Sequence, residues 1–83
     1  MKLVNIGFGN MVNAQRVVAM VAPDSAPIKR IVQDAKEKGT LIDATFGRKT
    51  KTVLVMDSGH IVLSGIMPEN VGARMTAEDE DEQ

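Results

Sequence analysis

The 83-residue chain contains no cysteine. That excludes a disulfide framework, a cysteine-based zinc knuckle and a thiol nucleophile, and it suits a reducing compartment. Tryptophan and tyrosine are also absent, and Phe8 and Phe46 are the only aromatic residues. An aromatic platform for single-stranded nucleic acid is therefore not expected. His60 is the sole histidine, so a transition-metal site is not expected either. No apolar run approaches the ~20 residues needed to span a bilayer. The stretch Met1-Lys2-Leu3-Val4-Asn5 lacks the apolar core of a signal peptide. These absences lead to the expectation of a soluble, cytoplasmic protein with no membrane partner.

An apolar share of 43% is enough for the chain to fold, and its length allows one modest core and no second domain. The net charge of −1 hides a division. Residues 76–83 carry five acids and no base, whereas residues 1–75 carry all ten Lys and Arg against six acids. The expected organisation is a domain over residues 1–75 and an acidic, disordered tail over residues 76–83. A solubility tail is the plain reading. A tail competing with nucleic acid for the basic body is the functional one. A metal site there is poor, because a self-repelling run fixes no geometry.

Along the body, Leu3 to Phe8 reads as a strand and Gly9 to Asn13 as a turn. Arg16 to Ala22 is a continuously apolar second strand, expected to be buried on both faces. Asp24 or Ser25 can cap a helix, with Pro27 in its first turn. Ile28, Ile31, Val32 and Ala35 then fall on one face, Lys36 and Lys38 sit near the negative dipole end, and Gly39 stops the helix. Strands follow over Thr40–Thr45, Thr52–Asp57 and His60–Ile66, the last two joined by a Ser58-Gly59 hairpin turn. Pro68 and Glu69 start a short last helix to about Met75. The expected fold is α+β, in the order β-β-α-β-β-β-α: a small mixed sheet with one main helix on one face. That leaves sheet surface and edges uncovered, which favours self-association.

Several enzyme motifs fail. Gly7-Phe8-Gly9 begins a dinucleotide fingerprint, but position 12 is Val where glycine is needed. Gly47-Arg48-Lys49-Thr50 lacks both the Gly-Lys step and the upstream glycine of a phosphate loop. Asp57, Ser58 and His60 invite a triad, but neighbouring strand residues point to opposite faces, and Asp and Ser are ordinary turn formers. No enzyme activity and no cofactor are implied. What remains is basic. Phe46 to Thr52 places Arg48, Lys49 and Lys51 beside Gly and Thr, a set of donors suited to phosphate oxygens. Arg16 opens the second strand, so its head must leave at the strand end or pair with an acid. Lys29 and Arg30 lie on the polar side of the helix. Nucleic-acid binding and an ordinary solvated basic loop both fit these residues.

Five segments carry a resemblance: Asn5–Val12 (N-I-G-F-G-N-M-V), Ala22–Ala35 (A-P-D-S-A-P-I-K-R-I-V-Q-D-A), Leu41–Thr50 (L-I-D-A-T-F-G-R-K-T), Asp57–Ser64 (D-S-G-H-I-V-L-S) and Pro68–Arg74 (P-E-N-V-G-A-R). Together they resemble the RemA family of bacterial regulators, over about Leu3 to Met75. The resemblance implies a DNA-binding transcriptional regulator of extracellular matrix (biofilm) genes. It also implies a LytTR-like fold and a homo-oligomeric ring of about seven or eight subunits with double-stranded DNA wrapped outside it, closed symmetry removing free edges. It assigns DNA binding to Arg16, Arg48, Lys49 and Lys51. The pair commonly Arg-Arg is Arg48-Lys49 here; Lys keeps phosphate binding without the planar fork. Phe46 stands at a turn position that can be His. The alternative from another class is an oligomeric protein-binding scaffold without DNA contact. RNA binding is a third reading, disfavoured by the scarcity of stacking residues.

Overall fold

The structure is a computed structural model describing residues 1–81, with side chains described through residue 76. It is a small α+β fold whose centre is a mixed four-stranded sheet. The strands are β1 (Leu3–Gly7), β2 (Asn10–Asn13), β3 (Val17–Val21), β4 (Leu41–Asp43), β5 (Thr52–Met56) and β6 (Ile61–Ser64); the helices are α1 (Ala26–Lys38) and α2 (Pro68–Asp81). The main sheet has the order β3-β5-β6-β4, and β1-β2 form a separate hairpin. β5 is antiparallel to both β3 and β6, while β4 runs parallel to β6.

Helix α1 is built as its sequence dictates. Ser25 caps it by accepting from the Ile28 amide at 3.3 Å, Pro27 sits in the first turn, and Gly39 ends it at φ 79°, where a Cβ would be strained. Ile28, Val32 and Ala35 pack with Val53, Ile61 and Leu63 on one sheet face. The opposite face carries Leu54 and Val62, against Ile6 and Val12 of the hairpin and Val71 of α2. This alternation along β5 and β6 follows from the period of two in a strand.

Four expectations change here. Asn10 to Asn13 is a strand, not part of a turn, so the order is β-β-β-α-β-β-β-α. The Gly7-Phe8-Gly9 segment reverses the chain so tightly that Asn10 already pairs with Gly7. The hairpin and α2 cover the face expected to be bare, so both sheet faces are packed and only the edges β3 and β4 stay open. The apolar strand β3 is one of those edges and not a core strand; Val18 on it is 67% exposed. The β5–β6 turn also differs: Met56 and His60 pair across Asp57-Ser58-Gly59, with Gly59 at φ 91°, a three-residue hairpin with glycine at the left-handed position.

Helix α2 continues past the expected end at Met75 to Asp81. The acidic side chains assigned to the tail, Glu78 to Glu82, lie outside the described side chains. Among the described residues, no helix is long and apolar enough to cross a membrane.

Candidate nucleic-acid interface

The basic loop, residues 44–51, joins β4 to β5 and is fixed at both ends. Asp43 Oδ1 accepts from the Thr45 amide at 2.9 Å and the Thr45 hydroxyl at 2.6 Å. These two bonds, the hydroxyl's first, hold the Asp43 carboxyl below its ordinary pKa, because they favour the charged form. The Arg48 amide donates to the Thr45 carbonyl, and the Lys51 amide to the Ser64 carbonyl, at 3.0 and 2.9 Å. Phe46 and Gly47 carry the turn at φ 55° and 80°.

A second turn meets this loop. Phe8 and Gly9 join β1 to β2 with φ 56° and 78°, as a two-residue hairpin of the primed type requires. Asn10 Nδ2 donates to the Gly7 carbonyl at 3.0 Å and, more weakly, to the Ala44 carbonyl at 3.5 Å. The Phe8 and Phe46 rings stack, with centroids 5.3 Å apart and planes 23° from parallel. The Arg48 guanidinium lies over the Phe8 ring, 5.5 Å from its centroid. Phe8 is nonetheless 54% exposed and Phe46 81%. A left-handed backbone costs a non-glycine residue about 1–2 kcal/mol. An aromatic pair contributes about 0.5–1.5 kcal/mol, and an exposed cation–π contact about 0.5–1 kcal/mol. Together the contacts, about 1–2.5 kcal/mol, are of the same order as the backbone cost of the two Phe residues, about 2–4 kcal/mol.

Arg48, Lys49 and Lys51 line one open cleft with Gly7, Phe8, Gly65 and Ile66. Lys49 and Lys51 also border a neighbouring groove with Asp24 and Glu69, and Lys29 of α1 shares a third groove with Thr50. Among the described residues, no carboxylate lies within 4.0 Å of Arg48, Lys49 or Lys51.

Arg16 is placed elsewhere. It sits at the start of β3, beside the far end of β5, and its Nε donates to both Oδ1 and Oδ2 of Asp57 at 3.0 Å. This hydrogen bond, followed by the charge of Asp57, raises the Arg16 pKa further above its ordinary value. At about 3.3 Å per residue, Asp57 and Lys51 are on the order of 20 Å apart along β5. Within one protomer the structure thus brings together Arg48, Lys49 and Lys51 but not Arg16. Pairing with an acid is one of the two outcomes its position allowed. With Asp57 so engaged, Ser58 Oγ and His60 Nδ1 form a 2.7 Å contact on an exposed turn without a carboxylate relay.

The aromatic pair is what reading by residue type misses. Its signal is in the sequence: each Phe adjoins glycine, in Gly7-Phe8-Gly9 and Phe46-Gly47, which marks both as turn residues. That the two turns meet is not written there.

The model of the RemA-like family, described as extracellular matrix regulatory protein A-like, matches residues 3–75. The chain belongs to the RemA-like family. Relatives named as inferred regulatory proteins agree across nearly the full length. One from Dictyoglomus thermophilum is 63% identical over the whole chain and 98% of its own length. One from Symbiobacterium thermophilum is 62% identical over 94% of this chain and 82% of the relative. One from Geobacillus kaustophilus is 56% identical over 96% and 92%. The RemA-like match covers the hairpin, both helices' packed faces and the basic loop, and it places the chain among regulatory proteins.

Proposed function

We propose that the chain is a DNA-binding transcriptional regulator that holds duplex DNA on the loop bearing Arg48, Lys49 and Lys51. The observation that carries this reading is the convergence of these three cations on one cleft, with no carboxylate within ion-pair distance among the described residues. The guanidinium and ammonium groups there, without a carboxylate partner among the described residues, suit phosphate oxygens. The RemA resemblance extends the reading to extracellular matrix genes, to a LytTR-like module and to a homo-oligomeric ring.

One loop makes few phosphate contacts, so one protomer binds weakly. A ring repeats the loop and raises affinity through effective concentration, provided the DNA bends to follow it. The open edges β3 and β4, with Val18 and Ile42 exposed on them, support assembly by strand pairing. Arg16 belongs to the proposed DNA-binding set through the RemA resemblance alone. Its distance from the loop fits a contact to a different stretch of DNA, or to DNA held by the next protomer.

The test is a gel shift over a salt series, with light scattering for mass. The expected result is a discrete oligomer whose DNA complex weakens steeply with salt through counterion release. The double substitution Arg48→Ala, Lys49→Ala should abolish the shift and leave the oligomer intact. A double variant that binds normally sinks the loop assignment. A discrete oligomer that shifts no DNA at low salt favours the protein-binding scaffold.

A further inference from the structure

We propose that Phe46, seated on Phe8, is a wedge that enters between base pairs of the duplex held by the basic loop and kinks it there. The inference rests on the DNA-binding reading and adds a base contact that the cations do not supply.

Phe46 is the more exposed of the two rings, at 81%. It is held there by a left-handed backbone, φ 55°, that glycine or asparagine adopts at less cost. Such strain clusters at sites of function. The foundation is firm: Phe8 backs the ring at 5.3 Å, and Asn10 links the Gly7 and Ala44 carbonyls of the two turns. The surroundings select the occupant. Arg48 lies over Phe8, and Lys49 and Lys51 line the same cleft. The exposed Phe46 ring, stacked on the Phe8 that these cations flank, complements a ligand with anionic edges and a planar apolar interior, which is a stacked base step between two phosphate backbones. Apolar side chains inserted at such steps unstack them and bend the duplex. Pyrimidine–purine steps open most readily, so the wedge also provides sequence preference without hydrogen bonds to base edges.

The experiment uses the full chain and a duplex containing TA steps, with dyes at its two ends. Phe46→Trp introduces the only Trp of the chain, so its emission reports on position 46 alone. The expected results are end-to-end shortening by the wild type and several-fold quenching of the Trp emission by the duplex. Phe46→Ala should keep the salt-sensitive shift and the smooth bend a ring imposes, lose the further shortening that the kink adds, and bind about tenfold more weakly, within the range for loss of one aromatic–base contact. Phe46→Leu, which keeps an apolar wedge, should retain bending. Circular dichroism verifies that the variants fold. The wedge is overturned if Phe46→Ala bends DNA like the wild type, or if the Trp emission is quenched by single strands but not by duplex. A wild type that binds and bends no DNA at all overturns the DNA-binding reading itself.

Discussion

At the scale of single residues, the loop is organised by short polar contacts. Asp43 bonds Thr45 through its charged form, so its folded pKa is depressed. A depressed carboxyl stabilises the fold above its unfolded pKa and loses that contribution as pH falls through the folded value. Acidification should therefore release the Thr45 turn only below the ordinary aspartate range. An NMR titration of the Asp43 carboxyl should show a midpoint under that range, and Thr45→Val, which removes the hydroxyl bond, should move it upward. Arg16 offers a second test. Its charge is neutralised locally by Asp57, so Asp57→Asn should tighten DNA binding and steepen its salt dependence, provided Arg16 meets DNA. An unchanged salt slope would remove Arg16 from the DNA-binding set.

At the scale of elements, polar ties join the hairpin to the sheet. Ser64 is fully buried on β6; its hydroxyl donates to the Ile6 carbonyl at 2.8 Å and accepts from the Ile66 amide at 3.1 Å. Arg74 of α2 donates to the Asn5 carbonyl at 2.9 Å. Ser64→Ala leaves a buried carbonyl without its donor, which costs about 1–3 kcal/mol, and should be read as a lowered urea midpoint. Gly39→Ala meets no atom within 4 Å, so its cost is conformational alone, about 1–2 kcal/mol. A loss well beyond that would mean that α1 ends differently. Both faces of the sheet being packed, the elements leave unsatisfied backbone chiefly along β3 and β4.

At the scale of the whole molecule, the proposed ring and the proposed DNA contact make separable predictions. A Lys at the centre of an edge strand disfavours pairing with another chain. Val18→Lys should thus lower the mass seen by light scattering while the far-ultraviolet circular dichroism stays unchanged. If the ring supplies affinity by repetition, the same variant should weaken DNA binding far more than its added positive charge strengthens it. Lys49→Ala should act differently, keeping the mass and reducing the slope of log affinity against log salt by about one for each phosphate that Lys49 neutralises. Mass and affinity changing together in both variants would show that the loop itself is part of the protomer interface.

Much of this protein is determined by local chemistry and so is legible in its sequence. The Ser25 cap, the early Pro27, the apolar face of Ile28, Val32 and Ala35, and the Gly39 stop act within a few residues of one another, and α1 has those bounds; Ile31, expected on that face, is instead exposed. The basic loop is legible for the same reason: Arg48, Lys49 and Lys51 are neighbours in the chain. Tertiary structure decided what depends on distant segments meeting. The composition of β3 reads as core, yet it lies at an edge, because sheet order is set by which strands pair and not by any strand alone. β2 reads as a turn in isolation because a four-residue strand is defined by its partner β1. Arg16 and the loop belong to opposite ends of β5, a separation invisible until β3 is paired with it. Phe8 and Phe46, 38 positions apart in the chain, become one exposed pair only when the hairpin folds onto the sheet. Local rules fix φ and the face of a helix, whereas long-range packing fixes which turns touch, and the candidate interface is made where they do.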